Sequence, residues 1–226
     1  MRAVVALLLG SVSASLAGTP TVLVTGATGG TGQLLYAQLV ADTRVAQPVR
    51  ALVHGNASDP AAKAKAAKAL NCTQCDESEG VYYGDVTDPA SMRDAMHGVT
   101  TVAIAVGAGF TLNSTLQKAI EFTGVENQVS ALAGSGGSLE EKRVVLCSSM
   151  ATTNPHPSPF EGGPILFWKL NAEERRGHFG DLFGGFYYAF GEGDPVSRRG
   201  GPRGSAGWAE HRARPSAGLA RRVTHE

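Results

Sequence analysis

The chain has 226 residues, room for one domain with a real core and an appendage. Lys plus Arg and Asp plus Glu each total 20, so charge offers no general attraction to nucleic acid or to an anionic membrane. No run beyond the N-terminus is long and apolar enough to be a transmembrane helix.

The first residues carry a short basic region at Arg2, an apolar run from Ala3 to Leu9, and small residues at Ser15 and Ala17. This pattern reads as a secretory signal over residues 1–17, cleaved after Ala17, with an extra strand or a misassigned start as the alternative. It predicts entry to the secretory pathway, into the ER lumen or outside the cell. Plastid and cytoplasm are the alternative destinations.

Residues 21–25 (TVLVT) form an apolar run that ends at glycines, hence a buried strand. From Thr31 the pairs Leu35/Leu39 and Tyr36/Val40 stand four apart, the spacing of a helix face. Pro48 to His54 reads as a second strand. Asp59-Pro60 opens a helix that the Ala/Lys run carries to Leu70. Cys72 and Cys75 form a lone C-x-x-C: either a local disulfide or two free thiols, with no second ligand pair for a metal. Val81 to Gly84 is a short third strand followed by Asp85, and Asp88-Pro89 opens another helix. Thr100 to Val106 is a fourth strand, Asn113 to about Leu132 a long helix, and Arg143 to Ser149 a fifth strand that buries Cys147. The segment ILFWKLNAEE then reads as helical. Strands alternating with helices at this spacing predict a Rossmann-like, doubly wound parallel sheet over residues 20–175.

After about Asn171 the character changes. Nine of the fourteen arginines and none of the lysines lie beyond it. Residues 179–190 are apolar enough to cover something; the rest of 176–226 reads as an irregular Gly/Arg-rich tail.

The chemistry centres on VLVTGATGGTGQLLYAQL, residues 22–39, where Gly26, Gly29 and Gly32 recur every third residue. Gly26 supplies the unusual dihedral angles of a sharp strand-to-helix turn. A Cβ at Gly29 would obstruct a diphosphate approaching the helix N-terminus, and Gly32 lets the helix pack closely. Unpaired amides and the helix dipole attract the phosphates, with Thr28 and Thr31 as added hydroxyl donors and Gly30 as an extra glycine. The second strand ends with Arg50 and His54 and no carboxylate, which suits a 2′-phosphate and points to NADP, with NAD possible. Arg50 can equally be a strand-end residue, and His54 a loop histidine. Asp85 can accept from the adenine amino group, with Val86 offering its backbone, or can simply cap a turn. Gly107 leaves space beside the cofactor's ribose or is a loop glycine.

The segments TVLVTGATGGTGQLLYAQL, VRALVHG, GDVTDPASM, VLCSSMATTNPHP and ILFWKLNAE follow one another in an order that resembles the atypical short-chain dehydrogenase/reductase family, in its NmrA-like and plant plastid-associated NADP-binding branch. The resemblance covers roughly residues 20–175. It implies a Rossmann fold that binds NADP(H), with reduction of small molecules in some members and cofactor binding without established catalysis in others. Gly26, Thr28, Gly29 and Gly32 match its diphosphate loop, and Asp85 and Val86 its adenine contact. Ser149 matches the serine after strand five, and Lys169 the lysine that holds the nicotinamide ribose. Relatives carry arginine at the positions of Gly30 and His54. The superfamily's acidic tyrosine, four residues before the lysine, is Ile165 here. Ser149 or a water is the alternative proton donor, and Ser148 and Ser149 can equally serve as strand-end hydrogen bonders. After KLNAEE the chain departs from the family pattern, as an altered or truncated C-terminal third would. The resulting expectation is an NADPH-dependent reductase of an unknown small molecule. A cofactor-binding regulator without turnover, or an inactive truncated product, is the alternative.

Overall fold

The computed structural model describes residues 21–43, 48–149 and 164–174, and the backbone of 185–189. The expected signal segment, Pro155 to Gly163 and the end of the arginine-rich tail lie outside the described residues.

Six strands form one parallel sheet: β1 (Val22–Thr25), β2 (Val49–His54), β3 (Val81–Gly84), β4 (Thr101–Ile104), β5 (Arg143–Cys147) and β6 (Gly185–Ala189). Their order is β3-β2-β1-β4-β5-β6. The chain therefore runs outward from β1 to one edge, crosses back at β4, and fills the other edge. The switch between β1 and β4 opens a crevice at the carboxyl ends of those strands. This is the doubly wound α/β architecture that the alternation of elements predicts.

The helices follow the sequence closely. α1 (Gly30–Ala41) buries Leu35, Tyr36 and Leu39 against Val22, Val24, Val49 and Ala51. Full burial of such a side chain is worth about 1.5–3 kcal/mol. α2 (Pro60–Leu70) starts at Asp59, whose side chain accepts from the Ala61 amide, and stops at Asn71 in the left-handed region. A 3₁₀ turn (Pro89–Met92) leads into the single turn α3 (Arg93–Met96). On the other face, Met92, Met96, Val125, Val129 and Leu132 pack on Leu23, Val102 and Val144.

Two features differ from expectation. The long helix over 113–132 forms as α4 (Ser114–Lys118) and α5 (Gly124–Ala133), joined without a break by a π-helical turn at Ala119–Thr123. Further on, α6 (Pro164–Glu174) is followed by β6, inside the segment assigned to the irregular tail. β6 pairs in register with β5, Arg143 opposite Gly185 through Cys147 opposite Ala189. The sheet thus runs on to Ala189, beyond residue 175. GFYYA is rich in aromatic strand formers, and the exposed edge of β5 offers it a row of unpaired backbone groups.

Cys72 and Cys75 are joined as a disulfide. The loop is braced by Glu79, whose carboxylate accepts from the Thr73, Gln74 and Cys75 amides.

Candidate functional site: the crevice at the carboxyl ends of the strands

The bend after β1 has no spare room. Gly26 sits at φ +67°, and a Cβ there would lie 2.5 Å from the Ala105 carbonyl oxygen just past β4. A Cβ on Gly32 would come within 2.0 Å of the Gly26 carbonyl oxygen. Gly32 thus lets α1 pack on the bend itself, a sharper requirement than close approach to the sheet. Gly29 is different: it precedes α1 with φ −80°, and a Cβ would meet only the Gly26 carbonyl oxygen, at 3.2 Å. Its amide donates to that same oxygen at 2.9 Å. A Cβ on Gly30 would meet nothing within 4 Å.

The start of α1 carries no capping side chain and no acidic residue in its first turn. The amides of Gly30, Thr31 and Gly32 have no intrahelical acceptor, as in any first turn. With the helix dipole behind them, they present a small anion cradle, with Gly30 and Thr31 exposed and Gly32 buried. Thr28 is half-buried inside the bend and Thr31 lies on the exposed first turn. A dinucleotide's diphosphate fits here: the tight positions are glycines, and the donors are uncapped.

At the neighbouring strand ends, His54 closes β2 and Asp85 follows β3. His54 Nε2 lies 3.5 Å from Asp85 Oδ2. Asp85 Oδ1 accepts from the amide and the hydroxyl of Thr87. Burial alone would raise the Asp85 carboxyl; the Thr87 hydrogen bonds and His54 outweigh it and hold it below the usual carboxylate range. The Asp85 amide donates to Ser91 Oγ, and the Val86 carbonyl accepts from Asn127 Nδ2 at 2.9 Å. Asn127 thus fills one of the two acceptor positions of the Val86 carbonyl.

Arg50 stands apart from His54 and Asp85. It stands near the start of β2, paired with Leu23 at the opposite end of the sheet. Its Nη1 donates to the carbonyls of Ala95 and His97, and its guanidinium lies 5.2 Å from the Tyr82 ring centroid. The arginine finishes the short helix α3 by satisfying its last carbonyls.

The other half of the crevice is built around a residue that the sequence reading missed. Glu121, on the π turn, is 2% exposed. Its Oε2 lies 2.7 Å from Lys169 Nζ, and its Oε1 accepts from the Ala108 amide at 2.7 Å. A Cβ at Gly107 would come 3.5 Å from that same carboxylate. Lys169, on α6, thus pairs with Glu121, whose carboxylate also holds the Ala108 amide in the segment that follows β4. One of its three N–H donors is held by Glu121, which leaves two for other acceptors. Trp168, next along α6, packs against Phe122 and Phe167.

Cys147, at the end of β5, is only half-buried, and burial pushes its thiol up despite the nearby Lys169 cation. Ser148 Oγ donates to Glu173 on α6. Ser149 follows at the same strand end, and Ile165 lies one turn before Lys169 on α6. The signal for Glu121 was in the sequence: Gln117, Glu121, Val125 and Gln128 follow helical spacing on one face, and a carboxylate on an inward face needs a cation or amides. The π turn that aims it has no comparable sequence mark.

Comparison with known proteins agrees with this geometry. The sequence profile of the NAD(P)H-binding family matches residues 26–176. The Arabidopsis thaliana chloroplastic protein At2g37660 is 32% identical over 187 residues, which cover 73% of this chain and 52% of that one. The chain therefore spans about half the length of this curated relative. A short-chain dehydrogenase from Burkholderia cenocepacia, solved in complex with NADP, superposes with a TM-score of 0.54 at 17% identity, covering 84% of this chain and 79% of its own. The Citrobacter triphenylmethane reductase superposes with a TM-score of 0.50 at 20% identity, covering 75% and 47%. At such identities these two show the shared fold. The expected likeness to atypical short-chain dehydrogenases/reductases holds, and the chain belongs to the NAD(P)H-binding family.

Proposed function

We propose that this protein is an NADPH-dependent reductase of a small organic molecule with a polar, reducible double bond, such as a carbonyl or an enone. The observation that carries the reading is the segment after β4, which meets the glycine bend at Ala105 and the partner of Lys169, Glu121, at Ala108. It gives one crevice both an anion cradle and a half-buried cation oriented by a buried carboxylate. When bound, the dinucleotide supplies the hydride.

The chain's own residues divide the remaining work. The Gly30, Thr31 and Gly32 amides hold the diphosphate. His54 and the absence of a carboxylate at the end of β2 favour a 2′-phosphate, which supports NADP over NAD. The Val86 N–H and Asp85 take the adenine. Lys169 orients the nicotinamide ribose with its two remaining donors, while Glu121 fixes its position and keeps its charge compensated. Ser149, or a water it holds, delivers the proton that completes the reduction, since Ile165 has none to give.

A second reading rests on Ile165 itself: with no acid one turn before Lys169, the protein binds the dinucleotide without turnover and reports redox state to a partner. Two measurements on the full chain separate these. NADPH binding is followed by fluorescence, and turnover of a carbonyl and enone panel is compared between the natural chain and Lys169→Ala. The reductase reading predicts turnover that falls at least a hundredfold in the variant. Binding without turnover of any panel member favours the regulator, and unchanged activity in Lys169→Ala overturns the catalytic assignment.

For the compartment, residues 1–17 favour the secretory pathway, whereas the chloroplastic relative favours a plastid. A fluorescent fusion of the full chain, imaged together with N-terminal sequencing, decides between them.

A further inference from the structure

The Cys72–Cys75 pair lies in the loop between α2 and β3. Its two residues are joined but unequal. Cys72 is half-buried, whereas Cys75 is 2% exposed and packs with Val53, Ala66 and Val81. Thr73 and Gln74, between them, are exposed. An external thiol therefore has one sulfur to approach, that of Cys72.

The loop has holding bonds besides the disulfide. A 3₁₀ turn over Glu77–Glu79, capped by Asp76, brings Glu79 back over the loop. Its Oε2 accepts from the Thr73, Gln74 and Cys75 amides, the last at 2.7 Å. Tyr83 Oη donates to the Cys75 carbonyl at 2.9 Å. Cys75 stands at φ +52°, in the left-handed region that a residue with a Cβ rarely adopts, so its conformation is imposed by these partners. A disulfide closed over two intervening residues removes little entropy from the unfolded chain. With that bond broken, the Glu79 and Tyr83 hydrogen bonds would still hold the two sulfurs within reach of each other.

We propose that Cys72–Cys75 is a reversible thiol–disulfide exchange site for a dithiol, with Glu79 as the residue that positions the pair for reclosure. One thiolate of the dithiol attacks Cys72 Sγ. The Cys72–Cys75 bond breaks, a mixed disulfide forms on Cys72, and Cys75 leaves with the electron pair and takes up the proton that the incoming thiol released. The second thiol of the reagent then attacks its own partner sulfur, closes as a disulfide and frees Cys72 as a thiol. The chain gains two electrons and two protons, and the dithiol loses them. The opened Cys75 thiol stays among Val53, Ala66 and Val81 as a small apolar group. Reclosure runs the same steps backwards, favoured by the high effective concentration of one sulfur at the other that the Glu79 brace maintains.

The test equilibrates the full chain in mixtures of reduced and oxidised dithiothreitol, starting once from the closed and once from the open pair. The open fraction is read by alkylation and peptide mass mapping, which separates the pair from Cys147. The natural chain should open and reclose with its circular dichroism unchanged. Glu79→Gln, folded by the same criterion, should open at about a tenfold lower ratio of reduced to oxidised dithiothreitol. A second measurement needs only the natural chain: brief exposure to 2-mercaptoethanol, quenched in acid, should place the first adduct on Cys72. A pair that does not open, loss of the fold on opening, an unshifted ratio in folded Glu79→Gln, or a first adduct on Cys75 overturns the proposal.

Discussion

The two halves of the crevice were built by different rules. The nucleotide half, β1 to β3 with the glycine bend, consists of backbone: a turn, three uncapped amides and positions where a Cβ has no room. The other half, beyond β4, consists of side chains brought from distant elements, with Glu121 and Lys169 separated by 48 positions and meeting at 2.7 Å. Backbone sites leave a local signature because glycine has few substitutes. Side-chain sites depend on how helices pack, and a single inserted turn can redirect them.

This contrast predicts that the first half fails by sterics and the second by electrostatics. The largest effect should come from Gly32→Ala, whose Cβ would strike a backbone oxygen that cannot move without α1. The expected loss is about 3 kcal/mol in urea denaturation. Gly30→Ala, with open space around it, should cost nothing measurable. If both variants unfold alike, the steric account of the bend is wrong.

Glu121→Ala should come next, at about 2–3 kcal/mol, because it strands the mostly buried Lys169 cation and the Ala108 amide together. Adding Lys169→Met should recover part of that loss, since the orphaned charge goes with it. Additive losses in this double-mutant cycle would mean that the two groups do not interact.

Arg50→Met sharpens the comparison from the other side. It should cost about 1–2 kcal/mol by freeing the carbonyls that end α3, yet leave NADPH affinity within twofold. A large loss of affinity would put the arginine back in the site.

The smallest expected effect is on acid stability. Asp76 and Glu79 accept local hydrogen bonds from Ser78 and from the Cys75 and Thr73 amides, and Asp85 from Thr87; the folded state holds all three below their ordinary values of 3.8 to 4.5. Their contribution is complete above that range and is lost as pH falls through the lower folded values, because the unfolded chain then binds more protons. Thermal melts from pH 6 to 3 should show Glu79→Gln with a shallower decline than the natural chain. Parallel declines would mean that the amides around Glu79 do not discriminate its charge.

How far sequence reading carries follows from the same division. The strands over 22–25, 49–54, 81–84, 101–104 and 143–147 were readable because each is a short apolar run bounded by turn residues. The glycine bend was readable because three glycines at a fixed spacing between a strand and a helix have a steric reason to be there. For Arg50 the sequence left two readings open, and its hydrogen bonds to the Ala95 and His97 carbonyls, which depend on how α3 packs, are not written in its own strand. Glu121 was missed because its partner lies on another helix. β6 was missed because a glycine- and arginine-rich surround hid a five-residue run whose pairing depends on the open edge of β5.

The central claim is that the bend and the first turn of α1 hold an anionic diphosphate, and Gly30→Glu tests it most directly. Position 30 has room for the side chain, and an acid in the first turn suits the helix dipole, so the melting temperature should hold or rise. The same charge would oppose the ligand, so the Kd for NADPH on the full chain should rise at least tenfold. An unchanged Kd in the folded variant would contradict the account.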